Sequence, residues 1–227
     1  MLAERFVRDG RVQIRNILTD QSARIVHDIL ARQTPWGLAW KGEDGPRRLR
    51  QAELSQMPTP QRAAIFQQVG KVMTGQNYGF AYAQYPLLDA YKEEWNPGSP
   101  QDLLLEHIND QPLMDLVRQV TDIPELLKAD AQATFFGPNH FLAMHDDSQD
   151  GEGWRVAYVL NMCALDWRPD WGGYLLFYDE DGDVVAGFRP RFNTLNLFRV
   201  PQRHNVSFVP PFAPTGRFAL TGWFRDK

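Results

Sequence analysis

Cysteine is nearly missing from this chain: Cys163 is the one thiol among 227 residues. A lone thiol closes no internal disulfide, so a reducing, cytoplasmic setting is expected. Long apolar runs are missing as well. No stretch approaches the ~18 residues of a membrane-spanning helix. The first residues, MLAERFVRDGRVQI, hold no apolar core of signal-peptide length, so neither membrane nor leader is expected. A basic surplus is lacking too. The formal net charge of −4 gives no electrostatic case for direct nucleic-acid binding. There is no internal repeat, no low-complexity tract and no linker-like stretch.

What is present is enough apolar material for a sizeable core: 43% of the residues are hydrophobic and 23% charged. One domain over 1–227 is expected, in two parts. Residues 1–128 read as helical support. VQIRNIL (12–18) alternates partly and reads as a first strand. DQSARIVHDILARQ sets Ile25, Val26, Ile29 and Leu30 on one helical stripe. A loop rich in Trp and Arg follows. Thr59-Pro60 and Ser99-Pro100 read as helix starts, and Pro112 opens a further helix.

From about Ala129 the apolar period drops to two. Strands are expected near 130–136, 140–147, 154–162, 173–178, 184–189, 193–199, 203–209 and 217–225, separated by turn segments such as WRPDWGG, DEDGD and PPFAPTG. DEDGD lacks the glycine and glutamate spacing of a calcium loop and reads as a hairpin turn. The expected fold is α+β, mainly β: a double-stranded β-helix, or jelly roll, over 129–227, with the N-terminal helices packed on its larger sheet.

FLAMHDDSQD (141–150) ends an apolar strand in a histidine and carboxylates. On a strand, residues i and i+2 share a face, so His145 and Asp147 should face together and Asp146 away, toward a cleft rim. His204, in RHNVSFV, offers a third ligand. Two histidines and one carboxylate form the facial triad of non-haem Fe(II) oxygenases. The plainer alternative is a turn beside an unrelated histidine. His27 and His107 fall on helices and His140 in a turn, where structural roles are expected.

RFALTGWFR (217–225) sets Arg217, Ala219, Thr221 and Trp223 on one strand face. An inward arginine in an apolar barrel is costly unless it meets an anion. A dicarboxylate chelating the metal at its other end would be one such anion; a protein carboxylate would be another.

At this point the chain resembles a family, the Fe(II)/2-oxoglutarate-dependent dioxygenases of the prolyl 4-hydroxylase superfamily, and most closely their ribosomal prolyl hydroxylase branch. The resemblance is carried by HDD at 145–147, WRVAYVLNM at 154–162, WGGYLLFY at 171–178, NLFRVPQRHNVSFV at 196–209 and RFALTGWF at 217–224. It implies that His145, Asp147 and His204 bind iron and act as the catalytic centre. Arg217 and Thr221 would line the co-substrate site, with Arg217 holding the distal carboxylate of 2-oxoglutarate. It further implies Fe(II), 2-oxoglutarate and O₂, with ascorbate as reductant, and hydroxylation of a proline in a protein substrate, a ribosomal protein or translation factor. Arg155 matches an arginine near the substrate mouth, although a solvated strand-end charge is equally consistent with its position. Asp146 is the other candidate for substrate contact.

Two departures stand out. Phe136 and Asn161 occupy co-substrate positions where relatives often carry tyrosine. Trp223 stands where nucleic-acid demethylases carry a second arginine. A small-molecule or free amino-acid hydroxylase, and a non-catalytic metal- or ligand-binding sensor module, are the competing readings. Trp36, Trp40, Trp167 and Trp171, in expected loops, read as core caps more than as a peptide cleft.

Overall fold

The structure is a computed structural model that describes residues 1–75, 77–148 and 151–227. Its first half alternates helices with strands: α1 (Leu2–Asp9), β1 (Arg11–Arg15), α2 (Asp20–Asp28), β2 (Gly37–Gly42), β3 (Gly45–Leu49), α3 (Gln51–Gln56), α4 (Thr59–Thr74), β4 (Phe80–Tyr85), α5 (Leu87–Lys92), α6 (Pro100–Ile108) and α7 (Gln111–Thr121). The second half is almost all strand: β5 (Lys128–Ala129), β6 (Gln132–Phe136), β7 (Phe141–His145), β8 (Trp154–Asn161), β9 (Leu175–Tyr178), β10 (Val184–Phe188), β11 (Thr194–Arg199), β12 (His204–Val206) and β13 (Arg217–Arg225). No described helix is long and apolar enough to cross a membrane.

Local chemistry explains several boundaries. Ser99 caps α6: its hydroxyl accepts from the Asp102 N–H while the Asp102 carboxylate accepts from the Ser99 N–H, both at 3.3 Å. Gly172 and Gly173 turn the chain into β9 with φ of 59° and 66°. A Cβ on Gly172 would lie 1.9 Å from the Phe208 carbonyl oxygen, so only glycine fits. DEDGD is the β9–β10 hairpin turn, with the Asp179 carboxylate accepting from the Asp181 and Asp183 N–H groups.

The strands form one antiparallel sheet in the order β1-β11-β8-β13-β6-β4-β7-β12-β9-β10, with β2, β3 and β5 paired alongside. It curls into the jelly roll that the strand spacing predicts. Alternation on β8 shows both faces. Val156, Tyr158 and Leu160 pack outward under Phe6, Leu105, Met114 and Val117 of the helices. Ala157 and Val159 point inward with Phe177, Phe198 and Ala219. Each fully buried side chain of this size contributes roughly 1.5–3 kcal/mol, so a one-residue slip of β8 would forfeit both layers.

The first half departs from a purely helical support. The expected Trp- and Arg-rich loop is the β2–β3 hairpin, and Trp40 is buried within it. β4 lies between β6 and β7 and joins the two sides of the roll. α1, α3 and α5 are further additions. Ile25, expected in the core stripe of α2, is exposed. Trp36 and Trp167 do cap the core, donating their indole N–H groups to the carbonyls of Leu30 and Gly172.

Candidate active site

A cavity of about 350 Å³ runs down the inside of the roll. At one end, β7 and β12 pair with His145 directly opposite His204. The His145 Nδ1 lies 2.9 Å from the Ala143 carbonyl oxygen, and the His204 Nδ1 lies 2.7 Å from that of Gln202. A carbonyl only accepts, so each Nδ1 carries the proton and each Nε2 turns its lone pair inward. Asp147 meets them there. Its Oδ1 is 3.3 Å from the His145 Nε2 and its Oδ2 is 3.6 Å from the His204 Nε2.

Burial pushes the His204 imidazole down to about 4, helped by neighbouring His145, so it is neutral near pH 7. Burial alone would raise the Asp147 carboxyl; His145, His204 and Trp223 together hold it below its ordinary value. The cluster therefore presents a neutral His204 imidazole and a carboxylate, with the His145 Nε2 turned toward both.

Asp147 faces His145, as expected, but strand parity is not the cause. β7 stops at His145, and Asp147 sits beyond it with φ of 59°, in the left-handed region that Asp tolerates better than most residues. A backbone reversal, and not strand parity, brings the carboxylate back to the histidines. Asp146 points elsewhere: its Oδ1 accepts from the Ser148 N–H at 2.9 Å, at the cavity edge.

The deep end carries the opposite charge. Arg217 is 1% exposed, and burial pushes its guanidinium down to about 10. One of its nitrogens donates to the Asn161 Oδ1 at 3.1 Å, and its Cζ lies 4.7 Å from the centre of the Phe136 ring. No carboxylate among the described residues pairs with it. Its Nε has no hydrogen-bond partner, and neither has the Thr221 hydroxyl on the same strand face. Phe136 in turn stacks on Tyr82 of β4, with ring centres 4.8 Å apart.

Residues 131–225 match the model of the family described as the 2OG-Fe(II) oxygenase superfamily. The matched stretch runs from β6 to β13, the barrel strands. Among solved structures, a Pseudomonas putida prolyl-4-hydroxylase is similar over the full length of both chains, at 19% identity and a TM-score of 0.60. A Trichoplax adhaerens prolyl hydroxylase in complex with a hypoxia inducible factor oxygen degradation domain peptide fragment is similar over 100% of this chain and 88% of its own, at 14% identity and a TM-score of 0.62. A Burkholderia pseudomallei 2OG-Fe(II) oxygenase-family oxidoreductase is similar over 100% and 90%, at 12% identity and a TM-score of 0.62. Identities this low speak for the fold. No curated protein matches the chain in sequence.

The matched family implies Fe(II) and 2-oxoglutarate, and the residues present fit both. The donor atoms of His145, Asp147 and His204 lie within 4.8 Å of one another, close enough to converge on one ion, and they are the ligand types that suit Fe(II). A buried guanidinium without a carboxylate suits an anionic ligand.

Arg155 lies outside this cavity. By parity Arg155 would share the inward face of β8 with Ala157 and Val159. A bulge in the β8–β13 ladder, where Phe224 pairs with Val156 and Arg225 with Trp154, reverses the alternation there. Arg155 turns outward to Asp226 at 2.6 Å, and Trp154 lines the cavity instead. Sequence reasoning also passed over Tyr78 and Tyr82, which line the cavity from β4 and the residues just before it. Their signal was there: NYGFAYAQY alternates Tyr78, Phe80, Tyr82 and Gln84 with period two.

Proposed function

We propose that this chain is an Fe(II)- and 2-oxoglutarate-dependent hydroxylase of prolyl residues in a protein or peptide. The observation that supports it best is the pairing of opposite ends in one cavity: a two-histidine, one-carboxylate cluster at one, a buried guanidinium lacking a carboxylate at the other. A ligand that is a metal chelator at one end and a carboxylate at the other answers both.

In this reading His145, Asp147 and His204 hold the metal on one side and leave the rest of its coordination sphere free. Arg217, with Asn161 and Thr221, binds the distal carboxylate of 2-oxoglutarate, and Phe136 forms an apolar wall beside it. With O₂, the bound metal and 2-oxoglutarate supply oxidative decarboxylation to succinate and CO₂, coupled to insertion of one oxygen atom into a substrate C–H bond. The inward apolar residues Val159, Phe198 and Val206 limit water in the cavity. Helical and strand halves act as one unit, since β4 supplies Tyr82 to the same cavity.

Three aromatic side chains at the open end, Tyr78, Trp154 and Trp223, offer flat faces to a pyrrolidine ring. The prolyl hydroxylase folds above are consistent with a peptide substrate. Within that class we favour a ribosomal protein or translation factor in the cytoplasm, on the strength of the sequence resemblance. The first test is succinate formation from 2-oxoglutarate with Fe(II) and ascorbate; no turnover with any peptide or amino acid, and none uncoupled, would leave only a binding module. The second is intact-protein mass spectrometry of a strain lacking the gene. Loss of about 16 Da, one oxygen atom, from a ribosomal protein or translation factor is expected. No change in any protein, with turnover of a free amino acid instead, would favour the small-molecule hydroxylase.

A further inference from the structure

Asp147 lies outside any strand, so no ladder hydrogen bond sets the direction of its carboxylate. The Trp223 indole N–H does: it donates to the Asp147 Oδ2 at 3.0 Å. Trp223 itself is held from several sides. Its backbone pairs with Ala157 of β8, and its N–H donates to the Asp130 Oδ1 at 2.8 Å. Trp154, turned inward by the bulge, stacks on it with ring centres 4.0 Å apart and planes 7° apart. Arg225 flanks Trp154 at 5.8 Å and is itself ion-paired to Asp130 and Glu152.

We propose that Trp223 is a positioning residue for the metal: its indole N–H engages the Asp147 Oδ2, the oxygen nearer His204, and leaves the Oδ1, 3.3 Å from the His145 Nε2, as the oxygen free to bind it. A carboxylate free to rotate could chelate through both oxygens and close a coordination position that the reaction needs open. The fixed donor prevents that, and the Trp154–Trp223 stack keeps the donor fixed. The inference rests on the reading of Asp147 as a metal ligand.

Trp223→Phe keeps an aromatic ring against Trp154 and removes the donor. Mn(II) affinity, measured by calorimetry without 2-oxoglutarate, should fall by about 10- to 100-fold, as for other outer-shell partners of metal ligands. Trp171→Phe, outside the cavity, should leave it within about twofold. In the metal-free protein the Trp223 indole ¹H–¹⁵N resonance, assigned by its loss in Trp223→Phe, should move upfield in Asp147→Ala. Equal Mn(II) affinity in wild type and a folded Trp223→Phe would overturn the proposal, as would an indole resonance indifferent to Asp147→Ala. The resonance keeps the proposal testable should Trp223→Phe fail to fold. Wild type that binds no divalent metal would instead sink the metal reading itself, a result separate from the other two.

Discussion

The two ends of the cavity solve opposite electrostatic problems. At the histidine end each group is already held: both Nδ1 atoms reach carbonyls, and Asp147 is gripped by Trp223. At the deep end the Arg217 Nε and the Thr221 hydroxyl are buried and without partners. The first end is preorganised for a cation and folds with its polar atoms engaged. The second carries a buried charge met by one Asn161 oxygen and the Phe136 ring face, and an arriving anion would offset the rest of its desolvation cost. Such a cavity should bind its metal with little rearrangement, and should gain much of its stability from the organic ligand.

Substitutions at each end test that contrast. The largest effect should come from Asp147→Ala, which removes the lone anionic ligand: bound iron and succinate formation should both fall below detection, while Asp146→Ala should retain the metal. Equal losses in the two would break the assignment of the metal end. Next is Arg217→Met. Losing a buried charge contact of this kind costs roughly 2–5 kcal/mol, so the KM for 2-oxoglutarate should rise on the order of 100-fold. The ligand-free variant should unfold at a higher denaturant concentration than wild type, because the unpaired charge is gone. A destabilised variant would show that Arg217 has a structural partner after all.

A smaller change should follow Phe136→Tyr. One added hydrogen bond near the Arg217 guanidinium contributes about 1 kcal/mol, a drop of roughly fivefold in KM for 2-oxoglutarate. An unchanged KM would mean that no ligand oxygen lies within reach of position 136. The smallest effect lies outside the cavity. Burial holds the His140 imidazole below its ordinary 6.5, partly opposed by the Phe135 carbonyl. The unfolded chain therefore takes up its proton first as pH falls, and stability should decline below about pH 6.5. His140→Gln should flatten that slope in urea titrations between pH 7 and 5; an unaltered slope would remove His140 from the account.

Legibility followed the kind of information each feature needs. The eight strands after Ala129 were readable because each alternates and is bounded by Gly, Pro or Asp turns. β2, β3 and β4 were not, since short strands set among helices show their partners only when the chain is folded. His145, Asp147, His204 and Arg217 were readable as residue types at a spacing. The reversal at Asp147, the exchange of Arg155 for Trp154 and the grip of Trp223 were not.

By itself, then, the sequence determined which chemistry-bearing side chains exist, on which strands most of them lie, and that an arginine would stand on the last strand. Tertiary structure decided which of them point inward. A single bulged residue or one left-handed backbone angle reverses a side chain's facing, and partners distant in the sequence hold the result: Trp223, 76 residues from Asp147, donates to its carboxylate.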